Sequence, residues 1–127
     1  MCGIVGGISN KNITPLLLDG LNLLEYRGYD SSGLVVLTKN NVFDRVRAVG
    51  KVQNLENHLK ERNQKPIGNI GIAHTRWATH GEPSNNNAHP HVSKKSVCVV
   101  HNGIIENYIE LRNSQIKRGY EFTSETD

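Results

Sequence analysis

Short apolar stretches of this chain alternate with polar turns, and both the strand and the helix period can be read in them. Residues 3–9 form an apolar segment punctuated by Gly3, Gly6 and Gly7, which predicts a strand that other backbone approaches closely. Thr14 and Pro15 then read as a helix start, Thr14 as N-cap and Pro15 in the first turn. Leu17, Leu21 and Leu24 follow at helical spacing. Leu16, Leu18 and Leu23 widen the stripe and Gly28 lies beyond the end, so this helix packs on something. The β-branched runs 33–38 and 42–49, separated by Lys39, Asn40 and Asn41, predict a hairpin. Val52, Leu55 and Leu59 predict a helix over 51–62, and residues 68–75 predict another strand. Residues 96–101 read as a fully buried strand. Asn107 and Glu110 are spaced as a capping box opening a helix to Arg118, which Gly119 stops.

Residues 76–92, RWATHGEPSNNNAHPHV, break the pattern. They hold two Pro, three consecutive Asn and three His, with no apolar period. A loop this long inside a domain usually carries function. The order strand, helix, hairpin, helix, strand, long loop, strand, helix predicts an α+β fold with largely antiparallel sheet.

At 127 residues the chain is one domain or part of one, with ordinary hydrophobic (36%) and charged (21%) shares. The net charge of +3 comes from scattered residues, and no basic run of nucleic-acid-binding length exists. No apolar run reaches membrane-span length. The N-terminus lacks a signal-peptide layout, since Lys11 follows the first apolar segment, so a cytoplasmic protein is expected. Residues 122–127 follow the last helix as if entering a further element.

Two cysteines could form one disulfide, but their settings differ. Cys98 lies in the strand-like Val97-Cys98-Val99-Val100, where Cys serves as a small hydrophobe. Cys2 follows Met1 and precedes Gly3. A chain beginning Met-Cys-Gly can lose its Met, which puts thiol and α-amine on one residue. A thiol ordinarily titrates near ~8.5 and an α-amine near ~7.7–8.0, so a neutral amine is available to take the thiol proton. That is the N-terminal variant of the nucleophile–base pair. On Met-Cys-Gly alone, a small residue at a chain start is the plainer reading.

The segments CGIVGGI, LEYRGYDSSG, GIAHTRWATHGEPSNNNAHPH, VVHNGIIENY and SETD change that balance. In order and spacing they resemble the glutaminase domain of the glucosamine-6-phosphate synthase family, which are class II glutamine amidotransferases. The resemblance runs over the whole chain. It implies an N-terminal-nucleophile hydrolase fold, an αββα sandwich of antiparallel sheets of which residues 1–127 supply only part. It implies hydrolysis of L-glutamine by Cys2, with the ammonia passed to fructose-6-phosphate by an isomerase domain that this chain lacks, in cytoplasmic amino-sugar synthesis. A homo-oligomer is expected, and neither nucleic acid nor membrane as a partner.

The same resemblance suggests a role for particular residues. Attack on an amide creates an oxyanion that needs fixed donors, and Asn102 (side-chain amide) with Gly103 (backbone N–H) match the family's pair. Asn-Gly alone would read as a hairpin turn, yet a helix follows. Arg76 matches the clamp on the substrate's α-carboxylate, which suits a forked guanidinium. Thr79 and His80 match further substrate contacts, and Asp127 the acid that receives the α-ammonium. Trp77 adjoins the clamp in the loop that closes over glutamine and gates ammonia transfer, although a packing aromatic is an equal reading. Arg27 resembles a residue near the thiol, with an ion pair to Asp30 as the alternative.

Other chemistries fit less well. His80, His89, His91 and His101, joined by Cys2 or Cys98, invite a metal site but lack ligand spacing, so no metal or other cofactor is expected. A catalytically dead binding module would lack the nucleophile or the donors. Acceptors such as those of asparagine or purine-precursor synthesis remain the alternative within the amidotransferases. No glycine-rich phosphate loop is present.

Overall fold

A computed structural model describes residues 1–127. Four strands build the main sheet: β1 (Gly3–Ile8), β2 (Ser31–Leu37), β3 (Phe43–Val49) and β4 (Ile70–Arg76). Their order is β1-β4-β2-β3 and every neighbouring pair is antiparallel. Two helices, α1 (Thr14–Leu24) and α2 (Val52–Glu61), cover one face. Beyond lie a two-stranded antiparallel ladder, β5 (His91–Ser93) with β6 (Val97–Val99), and helix α3 (Tyr108–Lys117). This is the α+β arrangement the pattern predicts, with hairpin and helices where the periods put them.

The core lies between the sheet and the two helices. Ile13, Leu17 and Leu21 meet Leu34, Val36, Val46, Ala48 and Ala73 of the sheet and Val52, Leu55 and Leu59 of α2. Each fully buried Leu stabilises by about 2 kcal/mol relative to exposure. The opposite face, reached by the alternate side chains of each strand, is treated differently. Residues 77–90 cross part of it, held by arginines of β3. Arg47 donates to the Asn86 and Ala88 carbonyls at 3.3 and 2.9 Å, and Arg45 to the Pro90 carbonyl at 3.2 Å. A Cβ on Gly33 would overlap the His89 carbonyl oxygen, so glycine in β2 is what lets this loop lie against the sheet. The rest of the face stays open, with Ile4, Ile8 and Ile70 exposed.

Four expectations are corrected. Thr14 is not the N-cap of α1: Ile13 occupies that position, and the Thr14 hydroxyl donates to the Pro66 carbonyl at 2.8 Å. The segment 96–101 is not a buried strand. Only Val97–Val99 pairs, with a single partner, and Val97 and Val99 are exposed because no layer packs on them. Cys98 is accordingly half-buried rather than a core residue. Asn107 makes no side-chain cap bond at the start of α3, and α3 buries none of its residues.

Candidate active site

The register of β1 on β4, Gly3 opposite Thr75 and Ile4 opposite His74, brings the chain start to the end of β4. There the Gly3 N–H donates to the Thr75 hydroxyl at 3.1 Å. The Trp77 N–H donates to Cys2 Sγ at 3.2 Å, so the thiol sits against the first peptide of the long loop. Gly28 lets the turn after α1 come equally close, since a Cβ there would stand 2.8 Å from the Arg76 carbonyl carbon. Asp30, just before β2, accepts the Ala78 N–H at 2.6 Å and donates its own N–H to the Arg76 carbonyl at 3.1 Å. Two strands and a turn thereby fix the backbone on which Cys2, Arg76 and Trp77 stand.

Asn102 reaches the same point from the other side of the chain. Its Nδ2 donates to the Cys2 carbonyl at 3.0 Å, while its Oδ1 lies 2.9 Å from His74 Nε2. Gly103 follows, its N–H free of intramolecular partners. One amide donor thus stands on the thiol-bearing residue, and an unpartnered backbone N–H follows it in the chain.

Arg76 is 4% exposed and its guanidinium is already engaged. It donates to the carbonyls of His80, Gly81 (2.9 Å) and Glu82 (3.2 Å), curling the loop around itself. Burial lowers its pKa from the ordinary arginine value, and the nearness of Cys2, Asp30 and Asp127 opposes that shift. The four side chains thus share one electrostatic neighbourhood. Asp127 accepts the Ile105 N–H at 2.6 Å, which ties the last residue to the loop after Gly103.

The remaining expected residues are more peripheral. Thr79 is exposed. His80 lies edge-on to Tyr108 at 5.7 Å, with its Nδ1 buried and unpartnered. Trp77 is half-exposed, its ring edge-on to Tyr29 at 5.7 Å. The alternative of an Arg27–Asp30 ion pair is not formed: Asp30 is turned to Ala78, and Arg27 contacts the Met1 sulfur at 3.8 Å.

Two participants were not read from the sequence, and a third, Asp30, was read only as an ion-pair partner for Arg27. His74 is fully buried and holds Asn102; Asn87 joins the loop to the tail; Asp30 pins Ala78. His74, His89 and His91 form a row: His74 stacks on His89 with ring centroids 4.2 Å apart, and His91 meets His89 edge-on at 4.5 Å. Burial is the main cause that pushes all three down, His74 and His91 to about 4 and His89 to about 2, with neighbouring Arg45, Arg47, Arg76 and His101 adding to it. The only available signals were a histidine in an otherwise apolar strand and the concentration of polar residues in a long loop.

Residues 74–127 match the family model described as a glutamine amidotransferase domain. Over all 127 residues the chain is 56% identical to the glutamine–fructose-6-phosphate aminotransferase (isomerizing) of Legionella pneumophila strain Paris. In sequence the chain resembles the glutamine amidotransferases. The enzyme of the same name from Pseudomonas putida is 57% identical over 127 residues. The chain spans 21% and 20% of those two relatives, about a fifth of their length. Among solved structures it resembles the glutamine phosphoribosylpyrophosphate amidotransferase from B. subtilis, with a TM-score of 0.71 and 23% identity, over 99% of this chain and 26% of that one. A second, described as the allosteric regulatory enzyme of purine biosynthesis, gives 0.75 and 25% over 96% and 27%. The fold is that of the N-terminal-nucleophile amidotransferases, α+β with antiparallel sheets.

Proposed function

We propose that this chain is the first part of a type 2 glutaminase domain, and that it hydrolyses L-glutamine with Cys2 as nucleophile. The observation that carries the reading is the meeting of Cys2, Asn102 and the Arg76 loop at one end of β4. With Met1 removed, the Cys2 amine takes the thiol proton and Sγ attacks the side-chain amide. Asn102 Nδ2 and the Gly103 N–H receive the developing oxyanion, ammonia leaves, and water releases glutamate from the thioester. Arg76 and Asp127 hold the substrate's carboxylate and ammonium, with Thr79 and His80 beside them, while Trp77 and Arg27 border the thiol.

The relatives' printed name supports fructose-6-phosphate as the acceptor, reached through a further isomerase domain that residues 1–127 do not contain. We place the work in the cytoplasm, which two unpaired cysteines suit; no helix is long and apolar enough to cross a membrane. Exposed Ile4, Ile8, Ile109 and Ile116, and the free edge of β1, favour self-association.

The test is incubation with glutamine and fructose-6-phosphate, assaying glutamate and amino sugar separately. Glutamate without amino sugar is expected from this chain, from Met1-free protein only. Amino sugar formed at the glutamate rate would show that the acceptor site lies within these residues, and no glutamate at all would refute the glutaminase reading.

A further inference from the structure

Asn102 is exposed on a loop, yet its amide has a defined orientation, and one buried side chain sets it. His74 Nε2 lies 2.9 Å from Asn102 Oδ1 and 3.1 Å from the His101 carbonyl oxygen. Both neighbours are acceptors, so Nε2 carries the proton and donates. Nδ1 is the lone-pair nitrogen, buried without a partner. The ring cannot turn away easily, because it is fully buried and stacked on His89 at 4.2 Å. His89 is itself held by the His101 N–H, which donates to its Nδ1 at 3.3 Å.

This donor decides which end of the Asn102 amide faces Cys2. With Oδ1 on His74, the NH₂ group points toward the Cys2 carbonyl, 3.0 Å away. The half-turned amide would set NH₂ against the Nε2–H and place a carbonyl oxygen beside the nucleophile. There it would repel the oxyanion it is meant to stabilise. A neutral imidazole suits the task because it donates from a buried strand without bringing a charge into the core.

We propose that His74 is a positioning residue that fixes the Asn102 amide with its N–H aimed at the reacting centre. The idea rests on the reading of Asn102 as an oxyanion donor, and it goes beyond that reading by naming what orients the donor before substrate arrives.

The test compares wild type, His74→Ala, His74→Gln, Asn102→Ala and the His74→Ala/Asn102→Ala double variant. Loss of the donor itself should cost ~10²–10³ in kcat, and loss of its orientation roughly ten- to a hundredfold, with KM within about twofold. His74→Gln, which keeps an N–H donor, should recover much of the loss. In the double variant kcat should fall no further than in Asn102→Ala, because His74 acts only through Asn102. Alkylation of Cys2 by iodoacetamide, which forms no oxyanion, should proceed at the wild-type rate in His74→Ala. Multiplying losses in the double variant, or alkylation that collapses with kcat, would assign His74 a general structural role and overturn the proposal. An NMR measurement of the wild-type His74 ring tests it without activity: a proton on Nδ1 rather than Nε2 refutes it. A wild type that releases no glutamate would sink the glutaminase reading instead.

Discussion

Asn87 and Glu125 are joined by two hydrogen bonds, Asn87 Nδ2 to Glu125 Oε2 at 3.1 Å and Glu125 N–H to Asn87 Oδ1 at 2.8 Å. The same Nδ2 donates to the Glu82 carbonyl at 2.9 Å, which also accepts from Arg76. One buried amide therefore links the loop around the proposed carboxylate clamp to the tail that carries Asp127. Asn87→Ala leaves the Glu125 N–H and carboxylate without their partner, leaves the Glu82 carbonyl only its Arg76 donor, and should destabilise the chain by about 2 kcal/mol. Because Asp127 lies two residues beyond Glu125, glutamine KM should rise more than kcat falls. Steady-state kinetics beside thermal unfolding check this; a kcat loss at constant KM would contradict it.

Arg76 faces two demands, since its guanidinium already binds three loop carbonyls while its proposed task is to bind a carboxylate. Lysine keeps the charge but not the fork. Arg76→Lys should therefore loosen residues 77–83 as well as weaken glutamine, with faster proteolysis in that segment and KM raised about tenfold or more. A raised KM with an unchanged cleavage pattern would separate the two tasks and refute the coupling.

The two thiols should differ sharply. Burial raises the Cys98 thiol to about 11, so at pH 8 only about a thousandth of it is thiolate. A glutamine-like electrophile should label Cys2 and spare Cys98, and Cys98→Ala should keep glutaminase activity. Peptide mapping decides, and label on Cys98 would move the nucleophile. Protein that retains Met1 should be inactive, because its Cys2 nitrogen is an amide.

The histidine row makes stability depend on pH with a definite sign. His74, His89 and His91 have folded values of about 4, 2 and 4, below the ordinary 6.5. In the unfolded chain they protonate as pH falls past 6.5, so the unfolded state binds more protons between about pH 4 and 6.5. The stabilisation is whole above that window and is lost as pH falls through it, at roughly 1.4 kcal/mol per pH unit for each histidine that differs fully. Urea midpoints measured from pH 7.5 to 4.5 should decline, and less steeply in His91→Asn. A flat profile would show that the row is hydrated.

What the sequence disclosed depended on how local each signal was. The leucine stripe of α1 and the β-branched hairpin declare themselves within a dozen residues, and both elements form where expected. Thr14 misled because a cap competes with other acceptors, and the Pro66 carbonyl, 52 residues away, takes its hydroxyl. Val97 and Val99 misled because an apolar run shows a tendency to be covered, whereas burial needs a second layer. Cys2, Asn102 and Arg76 were legible through resemblance to a family. His74 and Asn87 were not, since their meaning lies in partners 28 and 38 residues distant.

The pairing of β1 with β4 also sets a clock. The first strand emerges from the ribosome at the start of synthesis, but its partner begins only at Ile70. At ~5–20 residues per second, roughly four to fifteen seconds pass before β1 can dock. Throughout that interval the Met1–Cys2 bond is carried on an unpaired, extended end, open to an aminopeptidase. Once β4 arrives, Gly3 is bonded to Thr75 and Cys2 is drawn against Trp77. Met1 stays 77% exposed after that docking, so the nucleophile can mature on the folded chain as well as during translation, and slow processing in a fast-expressing host should yield folded protein with its amine still blocked.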